Sequence, residues 1–137
     1  MSKNYWLLKS EPSTWSWHDQ VKNKIDMWDG VRNYQARNNL IKMKKKDLCF
    51  FYHSVLEKSI IGIVEVVKEH YPDPTDKKNK FVAIDVKALK RLKKSVSLEQ
   101  IKNNIKLKDI PLIKQSRLSV MPINKKEWNE IIKISEE

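Results

Sequence analysis

One stretch of eleven residues holds an unusual concentration of groups that bind nucleotides. It reads WDGVRNYQARN and covers residues 28–38. Aromatic faces stack on bases, carboxamides pair with base edges through a donor and an acceptor, and the planar fork of arginine binds phosphate. The same residues would also suit a structural role, with Trp28 and Tyr34 as core anchors and the arginines paired with Asp29 or Glu11. The residues alone leave both interpretations open.

Three further segments place polar residues beside aromatic or apolar ones. They read YWLLKSEP (5–12), FFYHS (50–54) and QSRLSV (115–120). In the second, His53 precedes Ser54, a pair that invites comparison with hydrolases. Adjacent strand residues point to opposite faces, so His53 cannot easily activate Ser54. His53 is therefore either a hydrogen-bonding pocket residue or a strand-end histidine whose partners are satisfied.

The residue types that several classes of enzyme require are scarce. Three scattered histidines and one cysteine show no metal-ligand spacing, and two glycines cannot build a glycine-rich phosphate loop. Cys49 lies in an apolar run, so we interpret it as a small buried hydrophobe rather than a catalytic thiol. A single cysteine excludes a disulfide within the chain, which suits a reducing compartment. We expect no metal site.

Positive charge is concentrated in one part of the chain. The formal net charge is +11, and residues 77–117 hold 13 basic and 3 acidic side chains. A concentrated positive field attracts a polyanion such as DNA or RNA. A lysine-rich composition inherited from the genome would give a similar excess, so charge alone does not decide the partner.

These segments need a framework, and hydrophobic patterning predicts its strands. We expect strands over residues 4–8, 47–53, 60–67, 82–87 and 119–123. The strand over 60–67 is apolar on both faces, as a central strand would be, whereas the strand over 82–87 alternates. Turn signals lie at Trp28-Asp29-Gly30 and at Asp73-Pro74.

The helices are predicted from caps and from helical spacing. Apolar residues recur at helical spacing from Tyr34 to Met43. Three pairs of residues have the spacing of helix N-terminal caps: Ser16 with Asp19, Ser97 with Gln100, and Asn124 with Glu127. The pattern predicts an α+β domain of about five strands, mostly antiparallel, with short helices around them. So many short strands favour a closed or partly closed barrel.

Length and hydropathy set the broad class. A chain of 137 residues fits one domain, which we take to span 1–137. No apolar run approaches the ~18–20 residues of a membrane span. Residues 1–4 lead directly into aromatic sequence without the apolar region of a signal peptide. We expect a soluble, intracellular protein that does not bind membranes.

The four segments, together with YPDPT (71–75), resemble the EVE family almost letter for letter and in the same order. The resemblance implies a PUA-like fold, a small twisted, mostly antiparallel β-barrel of about five to six strands with flanking short helices. It implies kinship with YTH readers, which hold a methylated adenine in an aromatic cage. It also implies recognition of modified cytosines in DNA or of modified RNA bases, without a cofactor.

The chain departs from the family pattern in three places. After Thr75 the family's longer loop is replaced by residues 76–81. Met121 stands where glutamine is common, and Val55 where a small polar residue is common. The short loop bears on contacts to the nucleic-acid strand, whereas the expected fold is unaffected.

We therefore hypothesise a nucleic-acid reader rather than an enzyme, in which a base leaves its stack and enters a pocket. Trp28 stacks on the base, with Tyr34 as the alternative, and Asn33, Ser10 and His53 read its edge. The base-binding pocket comprises Lys9, Ser10, Trp28, Val31, Asn33, Tyr34, His53, Ser54, Leu118 and Val120, with Val31, Leu118 and Val120 as the apolar wall. Phosphate binding or bracing of the pocket falls to Arg32, Arg37, Arg117, Lys77, Lys78 and Lys80, helped by Lys9.

Two other classes of function compete with this hypothesis. One is an RNA-processing or nucleic-acid-modifying enzyme on a related barrel, against which the motifs offer no pair of catalytic carboxylates. The other is a protein-interaction module, whose signature would be an exposed apolar patch. For the reader we expect a monomer in the cytoplasm of a bacterium, with nucleoid association, or in the nucleus of a eukaryotic cell.

Overall fold

The computed structural model describes residues 4–137. Residues 1–3, on which the expectation about a signal peptide partly rests, lie outside the described range. The strands are β1 (Tyr5–Ser10), β2 (Ile25–Trp28), β3 (Leu48–His53), β4 (Ser59–Pro72), β5 (Val82–Ser97) and β6 (Val120–Ile123). The helices are α1 (Trp17–Asn23), α2 (Tyr34–Lys42), α3 (Leu98–Lys102), α4 (Pro111–Lys114) and α5 (Lys125–Glu136), with a 3₁₀ turn over Ile105–Leu107.

All six strands form one sheet in the order β2-β5-β4-β3-β1-β6. β1 and β3 run parallel, and every other pair of neighbours is antiparallel. The α+β class and the mostly antiparallel sheet are confirmed. Within residues 4–137 the sheet does not close into the barrel that the pattern favoured, because β2 and β6 are edges that do not pair with each other.

The long hairpin of β4 and β5 forms the centre of the sheet. β4 lies between β3 and β5, so the predicted central position of residues 60–67 is confirmed. Both strands extend far beyond the predicted ranges, and their pairing shifts register at four places, the first between Ile60 and Gly62. Such irregularities bend a strand and increase its twist, which lets one hairpin curve around the core.

The capping signals are correct. Ser16, Ser97 and Asn124 each accept a hydrogen bond from the backbone N–H three residues later, and each helix start is a complete capping box. Sequence patterning missed β2, α4 and the 3₁₀ turn. β2 has four residues and a half-exposed Ile25, so its strand state depends on pairing with β5 rather than on its own pattern.

Adjacent residues of β3 support opposite sides of the sheet. The ring of Phe50 stacks on Trp128 of α5 with centroids 3.8 Å apart. The ring of Phe51 meets Trp17 and Trp28 edge-on, at 5.4 Å and 5.6 Å. Because neighbouring strand residues alternate faces, Phe50 anchors the C-terminal helix while Phe51 supports the side that carries α1 and the end of β2.

Cys49 precedes Phe50 in β3 and has no exposed surface. Burial raises the pKa of its thiol, so the sulfur stays protonated. The interpretation of Cys49 as a buried hydrophobe is confirmed. Among residues 4–137, no helix has both the length and the apolar character needed to cross a bilayer.

Candidate functional site

An open cavity of about 590 Å³, here called the base cavity, lies where the ends of β1 and β2 meet the start of α2. Six of the predicted site residues line it: Lys9, Ser10, Trp28, Val31, Arg32 and Asn33. Its wall also contains Trp15, Met27 and Ser119 and the carboxylates of Glu11, Asp26 and Asp29. The structure thus brings together groups from the first two sequence segments.

Asp73 holds the loop between β2 and α2 in place. Its carboxylate is 1% exposed and accepts a 2.8 Å hydrogen bond from the backbone N–H of Gly30. The guanidinium of Arg32 lies 3.1 Å from the same oxygen, and the backbone N–H and hydroxyl of Thr75 donate to the other oxygen. Gly30 has φ +79°, a conformation that glycine adopts without strain. The YPDPT segment therefore fixes the cavity wall.

The electrostatics of Asp73 follow from these contacts. Burial by itself would raise the pKa of the Asp73 carboxyl, but hydrogen bonds from Thr75, Gly30 and Arg32 outweigh burial and hold that pKa below its usual value. The carboxylate therefore stays ionised, and it neutralises Arg32. Arg32 consequently acts as a brace of the cavity wall in this structure.

Two polar residues of the wall have part of their hydrogen-bonding capacity already in use. Asn33 caps α2, because its Oδ1 accepts a 2.9 Å hydrogen bond from the N–H of Ala36. Its Nδ2 amide has no hydrogen-bond partner within residues 4–137. The Ser10 hydroxyl donates to the carbonyl of Trp15, so only its oxygen lone pairs remain for a ligand.

Two tryptophans line the base cavity. Trp28 is 8% exposed and packs edge-on against Phe51, so most of its ring belongs to the core. Trp15, which precedes α1, is partly exposed, and its indole N–H donates to Gln20. Sequence reasoning assigned no role to Trp15, because its segment carries no distinctive motif of its own.

Lys9 is the cation of the wall that lacks an ionic partner. Its Nζ donates to the carbonyl of Ser116 at 2.6 Å, and no carboxylate lies within 4.0 Å of it in the described part of the chain. Partial burial lowers the pKa of Lys9. The wall as a whole carries two cations and three carboxylates, so it favours a neutral group with hydrogen-bond donors over a phosphate.

Tyr34 and Arg37 lie outside the base cavity, on a ridge beside it. The Tyr34 ring is 53% exposed and lies 5.0 Å from Phe81, and the Arg37 guanidinium lies 5.0 Å from the Tyr34 ring. Arg37 also donates to the carbonyl of Lys80 at 3.1 Å. The short loop over 76–81 is thereby attached to α2.

The backbone of that loop is held by one carboxylate. Asp76 accepts hydrogen bonds from the backbone N–H groups of Lys78, Lys80 and Phe81. The side chains of Lys77, Lys78 and Lys80 are exposed. The ridge therefore presents several cations at the side of the cavity that Arg32 braces.

The expectation that His53 lines one cleft with Ser10, Trp28 and Asn33 differs from the structure. His53 is 6% exposed and lies beneath α1, where its Nε2 accepts a 2.9 Å hydrogen bond from the N–H of Trp17. Its Nδ1 lies 2.9 Å from Glu57. Both ring nitrogens have partners, as the second interpretation expected, and His53 lines a separate cavity of about 870 Å³ rather than the base cavity. Ser54 donates through its backbone N–H to Ser10 but does not line the cavity.

The predicted site residues of the QSRLSV segment (115–120) also lie beside the base cavity rather than in it. Arg117 and Leu118 line a shallower depression of about 370 Å³ that shares only Asn33 with the base cavity. Val120 is fully buried in β6. Leu118 and Val120 therefore do not form the apolar wall of the base cavity, whose apolar surface comes from Val31, Met27 and the tryptophans.

The described residues contain no group of three or more histidine, cysteine, aspartate or glutamate side chains placed to hold a metal ion. The lining of the base cavity offers hydrogen-bonding groups, aromatic surface and carboxylates that can act as acceptors. The missed residue of greatest consequence is Asp73. Its signal was the YPDPT segment, which contributed to the family resemblance but received no role.

Comparison with known proteins gives consistent results. The EVE domain family matches residues 4–134. A protein from Rhodopseudomonas palustris is 46% identical, with a TM-score of 0.92 over 97% of this chain and 93% of its own. Thymocyte nuclear protein 1 from Mus musculus is 35% identical over 97% of this chain and 74% of its own length. The human THYN1 protein, solved in complex with 5-methylcytosine-containing DNA, is 31% identical, with a TM-score of 0.91 over 98% of this chain and 99% of its own.

Proposed function

The chain belongs to the EVE domain family, and from this premise we propose that it reads a modified base in nucleic acid. The base is a cytosine carrying a substituent at C5, and it is held in the base cavity. The observation that carries the proposal is the cavity itself, built from the two segments most typical of the family. The human THYN1 protein in complex with 5-methylcytosine-containing DNA supports the choice of base.

The hydrogen-bonding groups of the wall match a cytosine edge. Cytosine offers an amino donor at N4 and acceptors at N3 and O2. Aspartate and glutamate accept from the N4 amino group, and Asp29, Glu11 and Asp26 supply such acceptors. The free Nδ2 amide of Asn33 donates to an acceptor of the base. The small surplus of carboxylates favours this uncharged, amino-bearing ligand.

The substituent would contact the apolar part of the wall. Val31 and Met27 are the aliphatic candidates, and Trp15 and Trp28 offer aromatic surface. One added carbon in an apolar pocket contributes ~1–3 kcal/mol, so discrimination between cytosine and 5-methylcytosine is modest. Removing the base from its stack costs a few kcal/mol, least for an unpaired base. Single-stranded or mismatched sites therefore bind best.

The phosphates beside the base would be held outside the cavity. Lys9 lies at its wall without an ionic partner in the described range, and Arg37 and the loop lysines 77, 78 and 80 form the neighbouring ridge. Arg117, near the shallower depression, is a further candidate. Arg32 braces the wall. Such contacts position a strand without reading its sequence.

We propose a single domain over 1–137 that works as a monomer, binds DNA in preference to RNA, and performs no chemistry on the base. Its location would be the bacterial cytoplasm with the nucleoid, or the nucleus in a eukaryotic cell. Incubating end-labelled DNA and RNA with the protein tests the absence of catalysis, because any cleavage or altered base would contradict it.

A binding panel tests the function itself. Oligonucleotides of identical sequence, containing cytosine, 5-methylcytosine or 5-hydroxymethylcytosine, are compared as single strands and duplexes and as DNA and RNA. We expect a C5-substituted DNA strand to bind about 5- to 150-fold more tightly than the unmodified strand. Equal affinities across the whole panel would refute the proposal.

A further inference from the structure

A second cavity lies on the opposite side of the segment that walls the base cavity. It measures about 870 Å³ and is formed by α1, the end of β3 and the middle of β5. Glu11 and Trp15 face the base cavity, whereas Pro12 and Trp17 line the second one. The segment that leads into α1 therefore contributes residues to both cavities.

The second cavity is strongly cationic. Lys24, Lys87, Lys90 and Arg91 line it, and we call it the cationic cavity. Across residues 4–137, none of these four side chains has a carboxylate within 4.0 Å. Its one acidic lining residue, Glu57, is engaged by His53 at 2.9 Å. The charge is therefore available to an anionic ligand from outside the chain.

The lining also contains exposed apolar surface. Val21 of α1 and Leu89 of β5 are each 46% exposed and stand among the cations. A ligand that fits must therefore combine repeated negative charge with apolar faces. A nucleic-acid strand has both, since its phosphates alternate with sugars and bases. The base cavity, by contrast, has more carboxylates than cations.

We propose that the cationic cavity binds the phosphodiester backbone of the nucleotides adjacent to the base held in the base cavity. This inference rests on the proposed function, because it assigns the two cavities to one strand. The base enters the wall with the carboxylates, and the strand passes over the start of α1 to the unpaired cations. Lys24, Lys87, Lys90 and Arg91 are then phosphate-binding residues in addition to those of the ridge.

The test replaces Lys87, Lys90 and Arg91 together with glutamine. The matched control replaces Lys125, Lys126 and Lys133 of α5, which line neither cavity. Each variant lowers the formal charge of +11 by three. Affinity for a 5-methylcytosine-containing DNA strand is measured between 50 and 200 mM salt. Each lost phosphate contact reduces the salt slope by about 0.7 for a single strand, so three lost contacts reduce it by about 2. The ratio of the affinities at 50 and 200 mM salt should therefore be about 20-fold smaller for the cavity variant than for the wild type.

The control variant should keep the wild-type salt slope, and an equal slope in the cavity variant would overturn the proposal. The nucleoside 5-methyl-2′-deoxycytidine separates the two cavities, because it reaches only the base cavity and should bind both variants equally. Loss of nucleoside binding by the cavity variant, with its thermal melt unchanged, would contradict the division of roles. Polyglutamate serves as a probe for an acidic protein partner. If the cavity variant loses binding to polyglutamate but keeps the wild-type salt slope for nucleic acid, the cavity docks an acidic protein and the proposal is wrong.

The two proposals fail in distinguishable ways. Suppose that the wild-type protein shows no preference for a modified base, but its salt slope depends on Lys87, Lys90 and Arg91. The proposed function would then be refuted, and the cationic cavity would remain a site that binds a nucleic-acid strand. Suppose instead that the wild-type protein prefers the modified base and the triple substitution leaves the salt slope unchanged. The proposed function would then stand, and the cationic cavity would have no part in it.

Discussion

The backbone N–H of Gly30 donates a 2.8 Å hydrogen bond to the carboxylate of Asp73, which lies 43 residues later in the chain. The contact joins the loop that walls the base cavity to the turn after β4. Because the same carboxylate also binds Arg32 and Thr75, a single buried side chain determines the shape of that wall.

Replacing Asp73 with asparagine should loosen the wall. A carboxamide has one oxygen and cannot accept at both positions, so we expect the free energy of unfolding to fall by ~1–3 kcal/mol. Affinity for a modified base should fall further than the residual stability explains. Asp109→Asn is the control, because Asp109 is exposed and 3.8 Å from Lys114. Denaturant melts and the binding panel measure both effects. A variant with wild-type affinity would show that the wall does not need Asp73.

Acid should abolish the contribution of the Asp73 carboxylate to the free energy of unfolding. Its pKa in the folded protein is lower than the usual 3.8, so its stabilising effect is complete above pH 3.8 and is lost as the pH falls through the folded pKa. The difference in unfolding free energy between wild type and Asp73→Asn should therefore be constant near pH 6 and narrow below pH 3.8. A difference that widens in acid would contradict the assigned ionisation.

The two roles of Asn33 can be separated by substitution. Asn33→Asp keeps a good N-cap for α2 but removes the Nδ2 donor, whereas Asn33→Ala removes both. We expect Asn33→Asp to retain wild-type stability. It should bind the modified base about 2- to 13-fold more weakly through the lost hydrogen bond, which costs ~0.5–1.5 kcal/mol, and more weakly still through repulsion by the new charge. Asn33→Ala should also lose ~1 kcal/mol of stability. Full affinity in Asn33→Asp would exclude the amide as a contact.

Trp15 and Tyr34 provide a matched pair of partly exposed aromatic residues. Trp15 lines the base cavity and Tyr34 stands on the ridge outside it. Trp15→Ala should weaken binding of the modified base by ~1–3 kcal/mol if its ring contacts the base, whereas Tyr34→Ala should leave the preference ratio unchanged. Trp28→Ala is less informative, because truncation of so buried a ring costs ~3–5 kcal/mol of stability. The reverse pattern would assign the stacking role to Tyr34, the alternative to Trp28.

Gly62 is required by the packing of Trp17. A Cβ at Gly62 would lie 2.5 Å from Cη2 of the Trp17 ring, so the ring would have to move. We expect Gly62→Ala to destabilise the fold by ~1–3 kcal/mol. Trp17→Phe removes the clashing atoms, so the double variant should be less destabilised than the sum of the single variants. Additive losses in thermal or denaturant melts would contradict this packing.

Short-range signals predicted much of the fold. Ser16, Ser97 and Asn124 were recognisable because a cap is decided within three residues. β2 and the far half of β5 were not recognisable, since their strand state arises from pairing between Ile25 and Lys87 and along the β4–β5 hairpin. The openness of the sheet likewise depends on long-range register.

The candidate site was predicted in part for the same reason. Ser10, Trp28 and Asn33 stand at element ends that the topology brings together, so spacing and residue type found them. His53 was misplaced because its direction depends on α1, whose Trp17 N–H takes its Nε2. Asp73 braces the wall from 43 residues beyond Gly30, a contact that spacing along the chain does not encode. Trp15 lies only five residues after Ser10, but its segment carries no distinctive pattern.

The fully buried Cys49 can report when the folded protein opens. Thiol reagents need a thiolate that solvent can reach, and in the folded state this sulfur is both enclosed and protonated. Alkylation of the only cysteine in the chain therefore requires the structure around β3 to open, and when reclosing is faster than labelling its rate reports the population of the open state. Mass spectrometry of timed labelling, which needs no engineered cysteine, would then measure how far a ligand in the base cavity lowers the population of this open state.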